Sequence, residues 1–70
     1  MQEYKHDFRL LKIREVISRV GLSKPTIYLR IKEGSFPRQV TLGPKSVAWI
    51  EGEVNDWIAA KMAERNTETN

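Results

Sequence analysis

The sequence predicts one small α+β domain built from three helices and a short antiparallel hairpin. Three observations support this prediction. The chain has 70 residues, of which 40% are hydrophobic and none is cysteine, so one core must hold the domain without disulfides. Glycine and helix-capping residues divide the first half into two short helices. Two short alternating stretches and one long amphipathic segment follow them.

The N-terminal third predicts an extended segment and then a helix. FRLLKI (8–13) has Phe8 and Leu10 alternating with a basic residue, which is typical of a short strand or an extended lead-in. REVISRV (14–20) predicts a helix with one aliphatic face. Gly21 ends this helix, because glycine adopts the left-handed conformation without steric cost. The inward face consists of Val16, Ile17 and Val20.

The stretch GLSKPTIYLRIKEGSFP predicts a second, well-delimited helix over residues 24–33. Ser23 is its expected N-cap, and Pro25 fits the first turn, where backbone N–H groups have no partner inside the helix. Gly34 ends the helix and Pro37 prevents it from resuming. Ile27 and Ile31 lie one turn apart and form the buried stripe.

The last 35 residues predict a hairpin and a long helix. FPRQVTLGPKSVAWI has the alternation of two short strands with a turn at Gly43-Pro44. EGEVNDWIAAKMAERN predicts a helix whose buried stripe is Val54, Trp57, Ile58 and Met62. The inward side chains of the two strands are Val40, Leu42, Val47 and Trp49. We expect a single domain over residues 8–65, with flexible tails at 1–7 and 66–70.

Charge divides the chain into a basic and an acidic part. Residues 9–45 carry nine basic side chains against two acidic ones (net +7), whereas residues 46–70 carry two against five (net −3). This asymmetry indicates a polyanionic partner for the first two thirds of the chain.

Several classes of function are not expected. The single histidine, His6, and the absence of cysteine argue against a metal site, and we expect no cofactor. Glu51, Glu53 and Asp56 lead a helix, where acids match the helix dipole, and no nucleophile accompanies them, so we expect no enzyme and no small-molecule substrate. The sequence has neither a membrane-length apolar run nor a signal peptide, which predicts a cytoplasmic protein.

This order of elements predicts a winged helix-turn-helix that binds double-stranded DNA. The second helix is basic, suits the major groove, and begins with N–H groups that favour a phosphate. The hairpin is basic as well and suits the DNA backbone or the minor groove. Arg14 on the first helix could contact the backbone, although a solvated surface explains it equally well. The candidate DNA-binding residues are Ser23, Lys24, Thr26, Tyr28, Arg30, Lys32, Arg38, Lys45 and Arg14.

The run from Leu10 to Lys61 resembles the AlpA family of phage and prophage regulators, which are MerR-like winged-helix proteins related to excisionases. The most specific pieces are GLSKPTIY, the EG-x-FP helix ending, and V-x-W followed eight residues later by Trp57. The resemblance implies that Ser23, Thr26 and Tyr28 belong to the recognition helix. It also implies that Arg38 and Lys45 form the basic hairpin.

One departure from the family pattern concerns Leu29 and Arg30. Members usually follow TIY with a basic residue and then a bulky apolar one, and here the order is reversed. By helix geometry this moves the guanidinium about 100° around the axis. Arg30 is therefore expected nearer to a flanking phosphate than to a base.

Three functions remain open from the sequence. The first is a sequence-specific transcriptional regulator of phage type, acting through repeated sites or several copies of itself. The second is an excisionase-like directionality factor that acts with an integrase. The third is a protein-interaction module whose basic face binds an acidic partner such as a response regulator.

Overall fold

The computed structural model describes residues 8–67, and it describes side chains up to Arg65. His6, the predicted tail 1–7 and residues 68–70 lie outside the described residues. The elements follow the chain in the order β1 (Leu10–Leu11), α1 (Ile13–Val20), α2 (Lys24–Glu33), β2 (Val40–Gly43), β3 (Ser46–Ile50) and α3 (Glu51–Thr67). The three helices and the antiparallel sheet confirm the predicted α+β class.

Glycine ends both helices of the helix-turn-helix, as the sequence predicts. Gly21 has φ 73°, and its N–H donates to the Ile17 carbonyl at 2.9 Å. Gly34 has φ 82° and closes α2 by donating to the carbonyls of Arg30 and Ile31. A side chain at either φ would be strained, so these two positions fix where α1 and α2 stop.

The sheet has three strands, with β3 in the centre between β1 and β2, and both pairings are antiparallel. β1 places Leu11 opposite Trp49, and β2 places Val40 opposite Ala48. The sequence predicts the β2–β3 hairpin but leaves the lead-in open between a strand and an extended segment. The lead-in forms the two-residue strand β1, which pairs with β3 and so connects the start of the domain to the hairpin.

The core joins all three helices to the central strand. Its largest side chains that are at most 1% exposed are Leu11, Val16, Ile27, Trp49 and Val54. The two indoles bind the segment that follows α2. Trp49 donates from Nε1 to the Pro37 carbonyl at 3.0 Å, and Trp57 donates to the Ser35 carbonyl at 2.7 Å. Trp49 and Trp57 thus serve the fold, as predicted.

The predicted alternation before α1 is wrong by one residue. Phe8 and Leu10 are 50% and 43% exposed, whereas Leu11 is 1% exposed. Leu11 is buried because it pairs with Trp49 across β1–β3, and neighbouring residues of a strand point to opposite faces. Phe8 precedes the strand and is not part of the core.

The hairpin also differs from simple alternation. Leu42, predicted inward, is 49% exposed, and Ala48, predicted outward, is 1% exposed. The pairing is irregular between Thr41 and Gly43, which disrupts the alternation near the tip. Ala48 lies in the central strand, which has a strand on each side and contacts both α1 and α3. The turn residues are Pro44 and Lys45, one position later than predicted.

α3 is longer than the core that it covers. Val54 is fully buried and Ile58 packs against the core, but Met62 is 52% exposed although it continues the same stripe. From residue 59 to residue 65 every side chain is exposed. The helix continues to Thr67, two residues into the segment predicted as a tail. Within residues 8–67, no helix is both long enough and apolar enough to span a bilayer.

Candidate nucleic-acid interface

Ser23 organises the start of α2. Its Oγ accepts a hydrogen bond from the Thr26 N–H at 3.4 Å and donates to Thr26 Oγ1 at 2.9 Å. Since Thr26 Oγ1 accepts, its own hydroxyl proton remains available to an external acceptor. Pro25 has no N–H and Thr26 is capped, so Lys24 is the residue of the first turn whose N–H is left for a ligand. The predicted capping role of Ser23 is confirmed.

α2 separates into an inward and an outward face. Ile27 is fully buried, and Ile31 and Tyr28 pack beside it. The Tyr28 ring lies edge-on to Trp49, with centroids 6.0 Å apart. The structure therefore places Tyr28 at the core margin, which leaves only part of its side chain for a ligand. The outward face carries exposed side chains, namely Lys24, Pro25, Leu29, Lys32 and Glu33.

Arg30 lies on the flank of α2 and is only partly exposed. Its Nε is buried and has no hydrogen-bond partner among the described residues. Its carbonyl accepts from the Ser35 N–H at 2.8 Å and from Ser35 Oγ at 3.3 Å, so its backbone belongs to the helix ending. Arg30 thus lies away from the centre of the outward face, and its expected place near a flanking phosphate stays a prediction.

The hairpin contributes two exposed cations. Lys45 lies in the turn between β2 and β3 and has φ 58°, an unusual value for a residue other than glycine. Arg38 is exposed, but it precedes β2, which begins at Val40. Arg38, expected to form the basic hairpin with Lys45, therefore lies two residues before its first strand. The preceding residue, Pro37, accepts the hydrogen bond from Trp49 Nε1 through its carbonyl. This bond anchors the segment that carries Arg38.

The cations of the chain divide by whether they have a partner. Arg19 pairs with Glu51, with Nη2 and Oε2 2.6 Å apart, and Lys61 pairs with Glu64 at 3.5 Å. Lys12 donates to Ser46 Oγ at 3.3 Å. In the part of the chain that the structure describes, no ion pair or side-chain hydrogen bond is formed by six cations between residues 14 and 45, namely Arg14, Lys24, Arg30, Lys32, Arg38 and Lys45. We call these six the unpaired cations.

The acids that lead α3 have separate surroundings. Glu51 is buried and binds Arg19, whose Nη1 also donates to Asn55 Oδ1 at 3.5 Å. Glu53 and Asp56 are exposed and border an open groove of about 400 Å³ beside Trp57. Among residues 8–67, no three His, Asp or Glu side chains are grouped so that they could hold a metal ion.

Arg14 and Arg19 lie on the same helix and are expected to differ in their effect on stability. Arg19→Ala should lower the free energy of unfolding by about 1–2 kcal/mol, because it leaves the buried Glu51 carboxylate without its closest partner. Arg14→Ala should change it by less than about 0.5 kcal/mol. Urea unfolding followed by tryptophan fluorescence measures both values. Equal losses would show that the Arg19–Glu51 pair does not hold α1 against α3.

Two residues on these elements escaped the sequence interpretation of the site. Leu29 and Leu42 are large apolar side chains that are exposed on α2 and β2. The position of Leu29 could have been found, because it lies about 160–200° around the helix from Ile27 and Ile31. The exposure of Leu42 depends on the irregular pairing near the hairpin tip, which no local pattern indicates.

A helix pair joined by a glycine turn, followed by a hairpin in a three-stranded sheet, defines a winged helix-turn-helix protein. Residues 9–62 match the model of the family described as prophage CP4-57 regulatory protein (AlpA). The chain therefore belongs to the AlpA family, which confirms the resemblance seen in the sequence.

Two relatives show how far the similarity extends. The DNA-binding transcriptional activator AlpA of Escherichia coli strain K12 is 37% identical over 59 residues, which cover 76% of this chain and 84% of the relative. The uncharacterized protein ORF88 of Enterobacteria phage P4 is 49% identical over 57 residues, which cover 81% of this chain. The match spans 65% of the phage protein, less than two thirds of its length.

Proposed function

We propose that this chain is a sequence-specific, double-stranded DNA-binding transcriptional regulator of the phage and prophage type. In this proposal α2 enters the major groove, and the β2–β3 hairpin, with Arg38 just before it, contacts an adjacent backbone or minor groove. DNA is the partner; the proposal needs no cofactor. The name of the E. coli relative, a DNA-binding transcriptional activator, favours transcriptional regulation over excision.

One observation carries the proposal, namely the distribution of the unpaired cations. Lys24, Arg30 and Lys32 are on α2, Arg38 lies two residues before β2, and Lys45 lies in the turn between β2 and β3. A folded protein gains little from leaving so many cations without acidic neighbours, whereas a phosphate backbone supplies a partner for each of them. The sixth unpaired cation, Arg14, lies on α1; Arg19 on α1 and Lys61 on α3 have acidic partners.

The form of α2 fits the major groove. That groove admits one helix and presents the donors and acceptors that identify each base pair. Thr26 lies in the first turns with a hydroxyl proton available, and Lys24 and Lys32 lie at the two ends of the helix. N-terminal residues of a recognition helix contact base edges, while cations farther out contact phosphates. We infer that Thr26 reads bases and that both lysines bind the backbone.

Selection of bound duplexes from a random pool tests the proposal. We expect the wild-type chain to enrich one short motif, and Lys61→Gln to enrich the same motif, because Lys61 is held by Glu64 and lies over the Trp57 ring. Failure of the folded protein to enrich any motif would contradict sequence-specific binding. The enriched duplex then serves in the binding measurements described below.

Thr26 and Lys45 are expected to affect binding in different ways. Thr26→Val removes the hydroxyl and keeps the shape, so it should reduce the preference for the selected duplex over an unrelated one by about tenfold. Lys45→Gln keeps the backbone conformation of the turn, so it should weaken both duplexes alike, by about three- to tenfold. Fluorescence anisotropy measures the dissociation constant of each variant for the selected and for the unrelated duplex. If both variants lowered preference equally, α2 would not be the element that reads the bases.

A further inference from the structure

Leu29 occupies the middle of the outward face of α2. It is 55% exposed, the highest value among the exposed large hydrophobic side chains of residues 8–65. Its neighbours one turn away are Pro25, Thr26, Lys32 and Glu33, none of which is a large apolar side chain. Leu29 therefore has no large apolar neighbour on that face and is not part of the core.

An apolar side chain at this position has a narrow choice of partners in a major groove. The exposed edges of base pairs there are hydrogen-bond donors and acceptors, and the apolar group among them is the C5-methyl of thymine. Leucine against a polar edge would remove water from that edge without replacing its hydrogen bond, which is unfavourable. Leucine against the methyl group removes apolar surface from water on both sides.

The position of Arg30 leaves the middle of the outward face of α2 to Leu29. Arg30 follows Leu29 by about 100° around the axis, lies on the flank, and has a buried Nε. The middle of the face therefore carries an aliphatic side chain where a long hydrogen-bonding one would otherwise reach guanine. Thr26 and Lys32, each about one turn from Leu29, are the nearest polar side chains with protons to donate.

We propose that Leu29 determines specificity by packing against the C5-methyl group of a thymine in the major groove. This inference rests on the proposed function, since it assumes that α2 enters that groove. It assigns to the centre of the DNA site at least one A·T pair whose thymine methyl faces the helix.

The test replaces each thymidine of the selected duplex, one at a time, by deoxyuridine. This change removes the methyl group and leaves every hydrogen-bonding atom in place. For the wild-type chain we expect about three- to fivefold weaker binding at one or two positions. Leu29→Ala should bind the thymidine duplex about tenfold more weakly and should lose no further affinity on the change to deoxyuridine.

Met62→Ala is the matched control, because Met62 is a similarly exposed aliphatic side chain on α3, outside the proposed interface. This variant should keep the full response to deoxyuridine, and near-ultraviolet circular dichroism should show all three chains folded. The inference is overturned if no thymine methyl affects the wild type, or if Leu29→Ala keeps the wild-type response. Absence of binding to any duplex would instead overturn the proposed function, and this inference with it.

Discussion

Trp49→Ala is expected to leave most molecules unfolded at 25 °C. Trp49 is fully buried, packs edge-on against Tyr28 and donates from Nε1 to the Pro37 carbonyl. Removing a buried tryptophan costs about 3–5 kcal/mol, and a core of this size rarely supplies more than about 3–5 kcal/mol in total. Urea unfolding by far-ultraviolet circular dichroism should show a baseline already close to that of the unfolded chain.

Two further variants sharpen this prediction. Trp49→Phe keeps an aromatic ring and loses the indole donor, so it should fold with reduced stability. Trp57→Ala should cost less than Trp49→Ala, because Trp57 is only partly buried, even though its ring packs on Phe36 with centroids 5.0 Å apart. A folded Trp49→Ala protein with an unchanged urea midpoint would show that the sheet and helices do not meet at this residue.

Local chemistry made the helix-turn-helix predictable. Gly21, Ser23 and Gly34 each act through their own backbone or through a contact a few residues away, so a single sequence shows them. The same holds for the stripe of α1 and for the beginning of α2. The boundaries of α2 agree with the prediction at both ends.

Long-range contacts explain what the sequence did not reveal. Leu11 is buried in place of Leu10 because of its pairing with Trp49, 38 residues away along the chain. Ala48 is buried because β3 is the central strand, and Met62 is exposed because the core ends before α3 does. Periodicity shows which residues share one face of a helix or strand, but it does not show how far the core that packs against that face extends.

In the candidate site, too, local features were predictable from the sequence and features that depend on long-range contacts were not. Lys24 and Lys32 are exposed on α2, as their place on the helix predicts. The difference between Arg14 and Arg19 depends on Glu51, which belongs to α3 and gives no signal near either arginine. The contact of Tyr28 with Trp49 likewise joins α2 to β3. Pairing across elements thus decides which cations are left for a ligand.

Raising the salt concentration from 50 to 200 mM is expected to weaken binding of the selected duplex by on the order of 10²–10³-fold. If four to six of the unpaired cations each neutralise a phosphate, log K falls with log salt at a slope of about −4 to −5. Anisotropy titrations at several salt concentrations measure this slope. A slope near zero, or no binding to any duplex, would instead favour the protein-interaction module with an acidic partner.

A triple variant shows whether the unpaired cations cause the slope. Lys24→Gln, Lys32→Gln and Lys45→Gln together remove three charges that have no acidic partner within residues 8–67, so the slope should flatten by about 3. Lys61→Gln changes the charge by one on α3 and should leave the slope unchanged. If the triple variant kept the full slope, the phosphates would be bound elsewhere on the chain. Because all three lysines are exposed and form no ion pair or side-chain hydrogen bond within residues 8–65, the stability of the triple variant should stay near that of the wild type. Lost binding is thereby separated from lost folding.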